Sequence, residues 1–138
     1  KSSNKNICIN NYIPYKDIPK ELKKMDILLM PYASSITVAG NVGDITKFTS
    51  PLKLFDYLSV GKIIMCSDFN VLKEAIKEKK NAVFIKNYSN PYSWKNEIQK
   101  LKNQPHKQLI ISKNNHRLSK EYSLIRRANR ILKEIKFN

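Results

Sequence analysis

The feature that most constrains this chain is a set of short, unbroken apolar runs placed between segments of helical character. The runs are "NICIN" (Asn6–Asn10), "DILLMP" (Asp26–Pro31), "KIIMCS" (Lys62–Ser67) and "NAVFI" (Asn81–Ile85). A strand with one wet face alternates apolar and polar residues. A run without that alternation reads as a strand covered on both faces, as in a parallel sheet. Between the runs lie helix candidates at Ile18–Met25, Pro51–Val60 and Asn70–Lys80, the last with Asn70 as its candidate N-cap. After the last run come Pro91–Asn103, a segment within Pro105–Lys120, and Ser123–Ile135. Strand and helix in alternation predict βαβ units, hence an α/β domain with a Rossmann-like parallel sheet flanked by helices. A length of 138 residues accommodates one such domain and its core, and leaves no room for a second.

Composition narrows the classes. No apolar run approaches the roughly 20 residues that a membrane-spanning helix needs. The opening polar run "KSSNKN", with no signal peptide and no initial methionine, is what a segment of a longer polypeptide would show. Cys8 and Cys66 each sit in an apolar run and match no metal or redox spacing, so both are expected as buried free thiols of a reducing compartment. The net charge is +15. Lysine dominates it, with arginine only at Arg117, Arg126, Arg127 and Arg130, and arginine is the usual residue for bidentate contacts to phosphates and bases. That argues against nucleic acid and leaves a solvated basic surface or a membrane-facing patch. His106 and His116 stand singly on polar stretches and read as surface residues, and no metal cluster is expected. Trp94 is spaced with Ile98 and Leu101 as helical core packing.

One segment carries more than fold. "TSPLKLFDYLSVGK" (Thr49–Lys62) reads as a helix with Ser50 as N-cap, Pro51 at the first helical position, and Gly61 as its stop. Lys53 falls near the third helical position, where its cation faces the positive end of the helix dipole. Free N–H groups plus an ammonium make an anion site that a phosphate or diphosphate would satisfy. Asp56, three residues on, shares a helix face with Lys53. Spacing leaves two readings open: an ordinary intrahelical ion pair, or a divided site in which Lys53 takes phosphate and Asp56 accepts from sugar hydroxyls. The segment before it, Tyr32–Ser50, is far longer than an ordinary strand-to-helix connection and holds Gly40 and Gly43, as a ligand loop would.

The run "SPLKLFDYLSVGKIIMCSD" resembles the donor-nucleotide segment of the family-4 retaining glycosyltransferases of the GT-B fold. "NNYIPYKDIPKELKKMDILLMPY", "NVLKEAIKEKKNAVFI" with Glu74, and "EYSLIRRANRILKEI" are similar to further segments of that family, in the same order. The resemblance implies a single C-terminal, donor-binding domain over residues 1–138, one half of a GT-B fold, with the N-terminal acceptor domain absent. It implies a retaining, hexosyl-type enzyme that uses a UDP- or GDP-linked sugar as substrate and needs no further cofactor or metal. The fragment alone is expected to be inactive. The implied site places Ser50, Pro51, Leu52 and Lys53 at the donor diphosphate and Asp56 at the ribose, where the family usually has Glu. It places Tyr12 and Ile13 near the nucleobase, and Tyr32 and Asp44 at the cleft edge.

The family's earlier glutamate corresponds to Phe48, which leaves the sugar and the catalytic residues unassigned, with Asp44 as a substitute from the loop. Implied partners are the nucleotide sugar and a glycan or lipid-linked acceptor of the envelope. Implied location is the cytoplasm, with peripheral contact at the inner face of the membrane admitted and nucleic acid not. Two other readings stand beside this one. The first is a non-catalytic nucleotide- or phosphate-binding module. The second is a basic membrane- or nucleic-acid-associated domain, led by the helix that carries Arg126, Arg127, Arg130 and Lys133. The plain account of that last helix has Leu124, Ala128, Ile131, Leu132 and Ile135 packed inward.

Overall fold

A computed structural model describes residues 6–32 and 52–135. A short 3-10 turn (Tyr15–Asp17) leads into α1 (Ile18–Leu22), followed by β1 (Ile27–Met30). Then come α2 (Leu52–Ser59), β2 (Ile63–Ser67), α3 (Asn70–Ala75) and β3 (Ala82–Ile85). Three helices close the order: α4 (Pro91–Lys102), α5 (Pro105–Glu121) and α6 (Leu124–Glu134). The strands form one parallel sheet in the order β1-β2-β3, with Leu28 opposite Ile64 and Cys66 opposite Phe84.

The expected α/β architecture is the one observed, and the reason is visible along β2. Every residue of β2 is buried. Ile64 and Cys66 point into a cluster with Leu54 and Leu58 of α2 and Leu72 of α3. Ile63 and Met65 point the other way, to Leu101 of α4 and Ile111 of α5. Period-2 side chains with an apolar layer on each side make the unbroken run a necessity. Trp94 packs on the second cluster as expected, and its indole N–H donates to the Tyr88 carbonyl at 2.9 Å.

Two polar devices set the register of α5 against the sheet. Asn115 is fully buried and its amide donates to the carbonyls of Lys62 and Asn81, both at 2.8 Å. Its own oxygen accepts from Asn81 Nδ2 at 3.2 Å. At the turn from α2 to β2, Ser112 Oγ donates to the Gly61 carbonyl at 2.6 Å. The elements α2 and β2 are thereby pinned from behind, at the end of the sheet opposite the strands' carboxyl ends.

Several expectations change. Asn6–Asn10 is not a strand: it forms no ladder, and Ile7 and Ile9 are 54% and 76% exposed. A three-residue apolar run bounded by asparagines buries too little surface to offset the ordering of its backbone. Cys8 is therefore exposed, while Cys66 is buried. Burial, then the nearby charge of Asp68, pushes the Cys66 thiol up to about 12. The helix expected over Asn70–Lys80 ends at Ala75, because Ile76 turns extended and enters the core. Asn70 is its first residue, and Phe69 occupies the N-cap position without a side-chain cap. Helix α6 is capped by Ser123 as a helix should be, yet its apolar side chains are not packed inward. Leu124 is 83% exposed, and Ile125, Ile131, Leu132 and Ile135 are exposed too. No described helix is long and apolar enough to cross a membrane.

Candidate functional site

In a β1–α2–β2 unit with parallel strands, α2 must start at the carboxyl end of β1 and descend to the start of β2. The first turn of α2 therefore lies on the edge of the sheet where α/β folds hold ligands. Lys53 is in that turn and is exposed, as is Leu52 before it. One turn further down, Asp56 is half-buried. The two do not form the intrahelical ion pair that their spacing permits, and among the described residues Lys53 has no acidic partner. Asp56 instead accepts a long hydrogen bond from the Tyr15 hydroxyl, 3.4 Å from Oδ1. Among the described residues no carboxylate stands against this basic side chain, so none of them compensates the positive end of the helix.

Tyr32 follows β1, half-buried, and is held by β2. Its N–H donates to Ser67 Oγ at 2.9 Å, and Ser67 Oγ donates back to the Tyr32 carbonyl at 3.1 Å. Ser67 is fully buried, so one hydroxyl satisfies both backbone groups of Tyr32 where the ladder ends. The Tyr32 ring meets Phe69 edge-on, with centroids 6.0 Å apart. Burial, then the neighbouring Cys66, raises the Tyr32 hydroxyl above the usual tyrosine range. Tyr57, on α2 beside Asp56, donates to the Leu29 carbonyl at 3.4 Å. Burial, followed by Tyr32 and Asp56 as nearby acidic groups, raises it likewise. Both phenols remain neutral at neutral pH and act as hydrogen-bonding groups rather than bases.

Tyr12 is 88% exposed and Ile13 is half-buried, on the segment that enters the turn at Tyr15. That turn brings the segment to Asp56 through the Tyr15 bond. Ser50, Pro51, Asp44 and Phe48, with the long segment before α2, lie outside the described residues. A groove of about 780 Å³ opens along α2 between Tyr15, Phe55, Asp56, Tyr122 and Arg127. Phe55 and Tyr122 form its apolar wall, their centroids 5.1 Å apart and their planes at 61°. His106 and His116 are exposed, and the described residues contain no group of three His, Cys, Asp or Glu able to hold a metal.

Sequence reasoning missed Tyr15 and Ser67. Each meets its partner across a long stretch of chain, 41 residues for Tyr15 and Asp56 and 35 for Tyr32 and Ser67. No local pattern announces either contact. Only the placement of two strand ends and one helix start side by side creates them.

A parallel three-stranded sheet with helices on both faces, and a polar cluster at its carboxyl edge, defines a Rossmann-like α/β domain. Its family is narrower than that. Residues 2–118 match the family described as "Glycosyl transferases group 1", and the chain belongs to it. Comparison with curated proteins gave no match, and comparison with solved structures gave none.

Proposed function

We propose that this group 1 glycosyltransferase chain is the donor-binding half of a two-domain, GT-B-type enzyme. It holds a UDP- or GDP-linked sugar for retaining, hexosyl-type transfer to an envelope glycan or lipid-linked acceptor. The acceptor is held by an N-terminal domain that faces the carboxyl edge of the sheet, and the reaction takes place in the cytoplasm. The observation that carries the reading is Lys53 in the first turn of α2, without an acidic partner among the described residues, one turn from Asp56. In this reading the Lys53 ammonium and the first N–H groups of α2, with Leu52 at the helix start, receive the diphosphate. Asp56 accepts from the ribose hydroxyls. The base lies along Tyr12 and Ile13, and Tyr32 borders the cleft.

The chemistry asked of these residues is modest and specific. As the glycosidic bond to the donor breaks, negative charge grows on the departing diphosphate. A cation at the helix start and oriented N–H donors favour that charge more than they favour the intact donor, which is electrostatic catalysis. Ser50, Pro51 and Asp44, outside the described residues, stay as expectations from sequence.

Titration calorimetry with UDP, GDP, ADP and their sugars tests the reading. Nucleotide binding is expected, and Lys53→Ala or Asp56→Ala should weaken it by about tenfold or more, the value of a hydrogen bond to a charged group. If no nucleotide binds, even with the acceptor domain restored, the donor-site reading is wrong.

A further inference from the structure

We infer that Tyr15 is a positioning residue for Asp56, and that the pair makes the site prefer a ribose to a 2′-deoxyribose. The inference rests on the donor-site reading above. The Tyr15 hydroxyl comes from the 3-10 turn that follows Tyr12 and Ile13, and it donates to Asp56 Oδ1 across 3.4 Å. It therefore joins the segment proposed for the base to the residue proposed for the sugar.

The competing partners for that carboxylate are missing among the described residues. Lys53 does not pair with it, and among the described residues Tyr15 supplies the one side-chain hydrogen bond it receives. The neighbouring Ser59 hydroxyl is used elsewhere, on the Asp56 backbone carbonyl at 2.7 Å. A half-buried aspartate turns about two torsions, and a bond from the Tyr15 turn favours one setting of both. The bond does not exhaust the acceptor, because an ionised carboxylate offers about four lone-pair sites over its two oxygens. A vicinal diol needs two of those sites held in one plane, whereas a 2′-deoxyribose presents one hydroxyl and tolerates a carboxylate that rotates. Ordering Asp56 before the ligand arrives thus benefits the diol most.

The test compares UDP and GDP with their 2′-deoxy counterparts by calorimetry, on the full chain and on Tyr15→Phe and Asp56→Asn. Tyr15 is exposed and keeps its ring in Tyr15→Phe, so folding is retained, which circular dichroism checks. Wild type is expected to prefer the ribonucleotide. Tyr15→Phe should weaken the ribonucleotide about three- to tenfold and the deoxynucleotide by less than about twofold, so that the preference collapses. The inference is overturned if Tyr15→Phe leaves the preference intact while Asp56→Asn removes it; Asp56 then acts alone and the donor reading stands. A wild-type chain that binds no nucleotide overturns both.

Discussion

Gly61 shows how much one residue can hold in place. It turns the chain from α2 into β2 with φ at 64°, a left-handed conformation that glycine adopts without the penalty of a side chain. A Cβ there would meet His116 Cβ at 3.3 Å and the Ser112 carbonyl at 3.5 Å. Gly61→Ala therefore faces a backbone penalty of about 1–2 kcal/mol for the left-handed conformation before any contact is counted. We expect its thermal midpoint to fall by about 3–10 °C, measured by scanning calorimetry. An unchanged midpoint would mean that the turn relaxes to negative φ. The buried Asn115 belongs to the same corner, since it holds the Lys62 carbonyl just beyond Gly61. This corner lies at the opposite end of α2 from Lys53, and it fixes where α2 ends and so how its first turn is presented.

At the level of elements, α2 and α6 are opposites. Leu54 on α2 is fully buried in the cluster beneath the sheet, whereas Leu132 on α6 is 54% exposed. Leu54→Ala should cost about 2–5 kcal/mol of unfolding free energy, the range for a truncated core leucine. Leu132→Ala should stay within about 0.5 kcal/mol, as at an uncovered surface position. Urea unfolding of the two variants decides it, and a large loss at Leu132 would show that α6 packs in solution.

The same contrast explains what was legible beforehand. The three strands and the family-bearing helix were readable because a residue buried on both faces of a sheet has few chemical options, so the pattern is stark. Pro91 marked the start of α4 for an equally local reason, and the structure adds Asn90 before it, whose side chain accepts from the Tyr92 N–H as an N-cap does. The fate of Asn6–Asn10 and of the α6 stripe was not readable. An apolar pattern states what a segment can bury, not whether a partner surface is there. In the candidate site, Lys53 and Asp56 were visible as a spacing, but their choice between each other and other partners depended on where Tyr15 lands.

For the whole molecule, 26 basic residues against 11 acidic ones mean that like charges repel across the surface. The exposed pairs Lys24–Glu21 and Lys100–Glu97 are short, at 2.7 and 2.6 Å, but neighbours on one helix add little. Raising ionic strength from about 0.01 M to about 0.1 M shortens the screening length from roughly 30 Å to roughly 10 Å. The thermal midpoint should rise over that range, and a fall would mean that ion pairs outweigh repulsion.

Helix α6 turns this into a colloidal matter. A coat of lysines holds separate molecules apart, while the bare oily stripe from Leu124 to Ile135 offers them a reason to meet. Electrolyte that steadies each molecule also thins the barrier between molecules. The conditions under which the chain is hardest to melt are therefore those under which it is readiest to clump.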